Sequence, residues 1–93
     1  MGNPRTLKVS MRDYGYRMEL DTAKQYCAQE PPHWHLCKNG IRVGQISADG
    51  IWTEYPSTDV SKSAIKEAEE LTRAYRSEII ENYNYNKENG ADY

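Results

Sequence analysis

Two dipeptides in the middle of the chain, Asn39-Gly40 and Asp49-Gly50, constrain the fold more than any other feature of the sequence. Both are two-residue turn signals flanked by apolar or β-branched residues, and such turns connect neighbouring antiparallel strands. They predict a meander of three strands between residues 33 and 54. Because side chains alternate along a strand, the position of the first turn also decides which residues share a face of the sheet.

With residues 39 and 40 as the loop, Leu36 lies opposite Val43, and His35 lies opposite Gly44, where no side chain fills the space beside the ring. The face that is the better candidate for the core carries Trp34, Leu36, Ile41 and Val43. The other face carries His33, His35, Cys37, Arg42 and Ile46. We therefore expect both imidazoles to point away from the core, on the same face as Arg42.

Two further strands are predicted before the meander, because apolar and polar residues alternate from Thr6 to Leu20. Asp13-Tyr14-Gly15 is the turn between them, since glycine tolerates the positive φ of a tight reversal. Residues 21–30 show no clear period and can form a loop or one helical turn. Pro31-Pro32 then restricts the backbone to an extended conformation at the start of the next strand.

The spacing of apolar residues changes to steps of three and four after residue 60, which predicts a helix over residues 61–84. Ser61 or Ser63 can cap its start, and at this length its end overhangs the sheet. Residues 85–93 lack apolar anchors and are expected to form a flexible tail. The prediction is an α+β fold: a small, mostly antiparallel sheet of four to five strands, with one long C-terminal helix packed on one face.

The composition allows one small domain, residues 1–93, with an ordered core over residues 6–84. Leu, Ile, Val and Phe contribute only 13 of the 93 residues, so the 2 Trp and 8 Tyr must supply much of the buried area. A core this small predicts modest stability, supported by a partner or by a second copy of the chain.

Charge is distributed unevenly along the chain. Residues 1–46 carry seven basic and four acidic side chains, whereas residues 47–93 carry five basic and ten acidic ones. The sequence pI of about 5.6 argues against stable DNA binding but leaves room for RNA contact through one basic face. No apolar run approaches the roughly 20 residues of a membrane span. No secretory signal is recognised at the N-terminus, so we expect a cytoplasmic protein with Cys27 and Cys37 reduced.

The segment that could carry chemistry is Pro31-Pro32-His33-Trp34-His35. On a strand, the Cα atoms of His33 and His35 lie about 6.7 Å apart and their rings point the same way, so both could bind one zinc ion. Such a site needs further ligands, such as Cys27 or Glu30, and no second pair at zinc spacing is present in the sequence.

Two other roles fit the same histidines. Either ring could act as a general acid or base, with Arg42 or Arg17 binding a phosphate oxyanion, as in a metal-independent ribonuclease. The third role is structural, because a histidine after two prolines can donate a ring N–H to a nearby carbonyl and anchor the start of its strand. The residue pattern alone favours the structural role over the other two.

The stretch Glu30-Pro31-Pro32-His33-Trp34-His35-Leu36 resembles the Pro-Pro-His-x-His motif of the prokaryotic domain-of-unknown-function family 4160. The likeness extends over residues 15–85, through the hairpin, the Asp-Gly turn and the C-terminal helix. It implies a compact antiparallel sheet with a long helix against it, and His33 and His35 are the positions that match the motif. The Cys-containing segment before Pro31 and the Asn/Tyr tail depart from the family pattern.

No activity is established for that family, whose genes often stand in small operons beside another short protein. This implies a toxin–antitoxin-like or mobile-element role. We therefore expect a protein-interaction module without a cofactor, whose partner is the product of the operon neighbour or a second copy. The alternatives are a metal-independent ribonuclease-like toxin that uses His33, His35 and Arg42, and a zinc-binding protein that uses His33 and His35.

Overall fold

The computed structural model describes residues 6–20 and 31–89. Along the chain the elements are β1 (Leu7–Ser10), β2 (Tyr16–Leu20), β3 (His33–Lys38), β4 (Ile41–Ser47), β5 (Trp52–Glu54), α1 (Lys62–Ala74) and α2 (Arg76–Asn89). The strands form one antiparallel sheet in the order β1-β2-β3-β4-β5. This five-stranded meander with helices after it confirms the predicted α+β class. The expectations for residues 21–30, which include Cys27 and Glu30, lie outside the described residues.

The turn between β3 and β4 is the one that the sequence predicts. Asn39 and Gly40 have φ angles of 52° and 82°, so both central residues are left-handed, as in the tightest hairpin turns. The second turn differs from the prediction, because β4 and β5 are joined by residues 48–51. Asp49-Gly50 therefore lies within a longer loop, in which Gly50 has the positive φ.

A β-bulge in β4 changes the register that the first turn alone would set. Cys37 pairs with Arg42, but Leu36 then pairs with Gly44, which leaves Val43 as the extra residue. The predicted pairing of Leu36 with Val43 is therefore wrong. The physical reason is the two-residue period of a strand, since one inserted residue moves every later side chain to the other face.

The bulge also decides which side chains of β4 reach the core. Ile46 is fully buried in the core although it is predicted on the other face, and Ile41, predicted in the core, is exposed. The open space expected beside His35 is absent as well. Gly44 lies on the core side, and a Cβ atom at this position would be 3.1 Å from the Trp52 ring.

The core lies between the sheet and α1. Its fully buried apolar side chains come from three strands and both helices: Met18, Trp34, Leu36, Ile46, Ala64, Ala68 and Ile79. Trp34 also donates its indole N–H to Thr72 Oγ1 at 2.9 Å, and the Thr72 hydroxyl donates to the Ala68 carbonyl at 2.7 Å. A short chain of hydrogen bonds therefore crosses the apolar core and connects β3 to α1.

The helical segment begins as predicted but is divided in two. Ser61 caps α1, since its Oγ accepts a hydrogen bond from the Ala64 N–H at 3.1 Å. At Tyr75 the backbone leaves helical geometry (φ −104°, ψ 16°), and the Tyr75 ring packs near Trp34 with ring centroids 6.0 Å apart. The prediction of one helix over residues 61–84 is therefore wrong, because the break at Tyr75 produces two helices.

The second helix, α2, runs further than predicted. It extends to Asn89, so residues 85–89 are helical where a tail was expected. Ile79, Tyr83 and Asn86 recur at helical spacing and are buried. These side chains provide the anchors that the Asn- and Tyr-rich composition of this segment concealed.

We predict that Thr72→Val lowers the free energy of unfolding by about 1–3 kcal/mol, because it leaves the buried Trp34 indole N–H without an acceptor. Urea unfolding followed by tryptophan fluorescence measures this loss. Thr72→Ser keeps the hydroxyl and should retain most of the stability. Thr58→Val, at an exposed position before α1, should change it by less than about 0.5 kcal/mol. Equal stability of Thr72→Val and the wild type would show that the indole bond contributes nothing.

Candidate functional site

His33 anchors the first residue of β3. Its Nδ1 lies 3.0 Å from the Pro31 carbonyl oxygen, which can only accept, so Nδ1 carries the proton. The ring packs against Tyr83 of α2, with ring centroids 5.1 Å apart, and the residue is 8% exposed. This is the structural role expected for a histidine that follows two prolines.

His35 lies in the middle of the sheet and is 9% exposed. It pairs with Glu19 across β2 and with Gln45 across β4. Its Nε2 lies 3.0 Å from Gln45 Oε1, and its ring meets the His33 ring edge-on, with centroids 5.2 Å apart. Polar side chains of two neighbouring strands therefore flank this ring.

The two rings lie on the face of β3 opposite Trp34 and Leu36, as the alternation along the strand predicts. They do not lie on an open surface, however, because both histidines are buried. The contact of His33 with Tyr83 joins residues that are distant in the sequence. A position on the face opposite the core therefore does not expose these imidazoles, and no local pattern in β3 indicates their burial.

The sheet face turned away from α1 is called here the polar face. Its described side chains alternate with the core residues of four strands, and they include Lys8, Arg17, Glu19, His35, Cys37, Arg42 and Gln45. Arg42 pairs with Cys37, two positions along β3 from His35, and is exposed. The structure thus places the three predicted site residues, His33, His35 and Arg42, on the same face.

Glu19 connects three side chains of the polar face. Its carboxylate lies 3.5 Å from Lys8 Nζ and 3.4 Å from Arg17 Nη2, and it accepts a hydrogen bond from Cys37 Sγ at 3.7 Å. The sequence reasoning missed this residue. The signal available for it was its position between two apolar residues of β2, which places it on the same face as the histidines.

Cys37 is a free thiol beside this carboxylate. Burial, followed by the charge and the hydrogen bond of Glu19, raises the pKa of Cys37 to about 11. The side chain is therefore a neutral thiol at physiological pH. In this state it is a poor nucleophile and a poor metal ligand.

Within residues 6–20 and 31–89, no three His, Cys, Asp or Glu side chains are grouped so that they could hold a metal ion. In addition, His33 Nδ1 is engaged by the Pro31 carbonyl. Zinc binding by His33 and His35 stays a prediction that requires ligands from elsewhere in the chain.

A second candidate site lies at the margin of the sheet. Among the described strands, none pairs with the outer edge of β5. Ile51 and Tyr55, immediately before and after this strand, are 65% and 68% exposed, and Thr53 between them is exposed. These alternate residues are called here the β5 edge. The strand itself is held in place because Trp52 Nε1 donates to Glu69 Oε2 of α1 at 2.7 Å.

No protein-family model, curated protein or solved structure matches this chain. The relation to family 4160 therefore stays a prediction from the motif. Neither of the described helices is long and apolar enough to cross a membrane.

We predict that Glu19→Gln lowers the pKa of Cys37 from about 11 toward its ordinary value of 9.0, because the substitution removes a negative charge and a strong acceptor. The pKa should stay above 9.0, since burial is the largest cause and remains. Carbon NMR of Cys37 Cβ against pH measures the change.

The matched control is Glu54→Gln, at an exposed position of β5, which should leave this titration unchanged. Stability should show the same linkage, because the pKa of Cys37 is higher in the folded than in the unfolded chain. The thiol's contribution is complete below pH 9.0 and is lost as the pH rises through about 11. Identical titrations of Glu19→Gln and the wild type would show that this carboxylate does not act on the thiol.

Proposed function

We propose that this chain is a small protein-interaction module whose β5 edge pairs with the same strand of a second copy. The observation that carries the proposal is the open outer edge of β5 between two exposed apolar side chains, Ile51 and Tyr55. An edge strand presents backbone N–H and C=O groups that a further strand can pair with. Exposed apolar side chains at such an edge favour binding of a partner that removes them from water.

The order of residues along the β5 edge supports a second copy as the occupant. β5 pairs irregularly with β4, because Ile46 pairs with Trp52 but Gln45 pairs with Glu54, which leaves Thr53 as the extra residue. In an antiparallel pair centred on Thr53, each Thr53 lies opposite its counterpart, and Ile51 lies at the same end of the pair as Tyr55 of the other copy. Threonine pairs and aromatic pairs with β-branched residues are both favourable across antiparallel strands. A two-fold axis through Thr53 therefore matches each side chain with a suitable neighbour.

Charge also permits this pairing. In the same register, Glu54 faces Trp52 of the other copy, so the two carboxylates are not placed opposite each other. The other margin of the sheet, β1, carries the exposed Lys8. Lysine on an edge strand disfavours the addition of a further strand. The two margins are thus unequal, and β5 is the better docking strand.

The toxin–antitoxin-like or mobile-element role implied by the motif belongs to this proposal. In that setting, a strand from the product of the operon neighbour would compete with the second copy for the β5 edge. A cytoplasmic location belongs to the proposal as well, because Cys37 is a free thiol.

The ribonuclease-like alternative draws less support from the geometry. A general acid or base must reach the proton that it transfers, whereas His33 and His35 are buried and hydrogen bonded. RNA cleavage by the wild type that is lost in a folded His35→Ala variant would favour this alternative over the interaction module.

We predict that the wild type forms a dimer of two 10.8 kDa chains and that Thr53→Lys weakens the dimer by about tenfold, because it places two like charges opposite each other. Thr53→Glu should have the same effect. An equal mixture of the two variants should restore the dimer, since the opposed charges then attract. Size-exclusion chromatography with light scattering measures all three samples.

Ser10→Lys, on the opposite margin of the sheet, is the matched control and should leave the dimer intact. A wild type that stays monomeric at every concentration would overturn pairing with a second copy. A dimer that the Thr53 variants do not weaken would place the interface elsewhere and would equally overturn the β5 edge.

A further inference from the structure

The structure contains a cavity whose lining includes no residue of the β5 edge. It lies where the turn between β1 and β2 meets the turn at residues 39 and 40, and its volume is about 500 Å³. Ser10, Arg12, Tyr14, Arg17, Asn39 and Gly40 contribute to its lining. A cavity of this volume is in the range that binds small molecules.

The charged groups around this cavity favour an anionic ligand. Its lining residues include two arginines and no acidic residue. Arg12 is already neutralised by α1, because its Nε lies 3.3 Å from Glu67 and its Nη2 lies 3.4 Å from Glu70. Arg17 contacts one carboxylate, Glu19, which it shares with Lys8, so its guanidinium is the less neutralised of the two and the better group for a ligand.

One of the hydrogen-bond donors of Arg17 also has no acceptor among the described residues. Its Nη2 contacts Glu19 at 3.4 Å, but its buried Nε has no hydrogen-bond partner among the described residues. A buried N–H without an acceptor is unfavourable, because it has lost its hydrogen bonds to water. A small reorientation toward the cavity would let the guanidinium bind the oxygens of a phosphate in the bidentate way that suits its planar fork.

The walls of the cavity are held together by the two turns. The Asn39 N–H donates to the Gly15 carbonyl at 2.7 Å, and a Cβ atom at Gly15 would lie 2.7 Å from Asn39 Oδ1. Gly15, Asn39 and Gly40 all have positive φ angles. This close approach holds the two turns, and therefore the cavity walls that they form, in a fixed relative position.

Tyr14 stands at the rim and is 99% exposed. An aromatic ring without packing partners is suited to stack against a planar ring of a ligand. Arg17 and Tyr14 together therefore offer one group for a phosphate and one for a base. We propose that the cavity binds a nucleotide, with its phosphate on Arg17 and its base on Tyr14, either as free nucleotide or as a unit of single-stranded RNA.

The test is an NMR titration of the full chain with adenosine 5′-monophosphate, adenosine, inorganic phosphate and a short oligoadenylate. The nucleotide should shift the amide signals of residues 14, 15, 17 and 39, and adenosine or phosphate alone should bind more weakly. Oligoadenylate that binds about tenfold more tightly than the nucleotide identifies an RNA strand as the ligand, and equal affinity identifies the free nucleotide. No shift at these residues with any of the four probes would overturn the proposal.

Variants separate the two contacts. Arg17→Gln should weaken nucleotide binding by about tenfold, and Arg17→Lys, which keeps the charge but not the planar fork, should fall between it and the wild type. Tyr14→Ala should weaken it by about tenfold through lost stacking. The control is Arg73→Gln on α1, which is exposed and outside the cavity lining. A control that loses binding to the same extent would overturn the assignment.

Discussion

The contact of Trp34 with α1 joins the two halves of this protein. β3 is the central strand, and Trp34 is fully buried between it and the helix, with its indole N–H bonded to Thr72. A chain with so few large aliphatic residues depends on such aromatic side chains, because each removes a large apolar area from water. The hydrogen bond to Thr72 also fixes the orientation of the indole ring. Burial of the indole N–H without an acceptor would oppose folding.

The second constraint is the β-bulge at Val43, which decides which side chains of β4 face the core and which lie on the polar face. After the bulge, Ile46 joins the core and Gln45 faces His35 on the polar side. That side then holds a connected set of groups in which Glu19 contacts a lysine, an arginine and a thiol. The histidines lie on the same face as packed and hydrogen-bonded side chains. The two surfaces that we propose for partners are the β5 edge and the cavity beside Arg17.

Much of the fold could be predicted from local sequence signals. The turns at Asn39-Gly40 and at residues 13–15, the alternation along β1, β2 and β3, and the Ser61 cap depend on neighbouring residues only, and all are present. The bulge could not be predicted, because Val43 carries no signal that separates it from a regular strand residue. The break at Tyr75 was hidden for a related reason, since the residues on both sides of it continue the helical spacing.

The candidate sites show the same division. Local sequence was sufficient to predict that His33, His35 and Arg42 share one face of the sheet, that His33 can bond a carbonyl after two prolines, and that the helix starts at a serine cap. These outcomes follow from chain geometry over a few residues. Three other features became visible only in the folded chain: both imidazoles are buried, Glu19 faces the thiol, and Arg17 and Tyr14 line one cavity. Each of these three features depends on contacts between strands and helices that are distant in the sequence, and no pattern of neighbouring residues predicts such contacts.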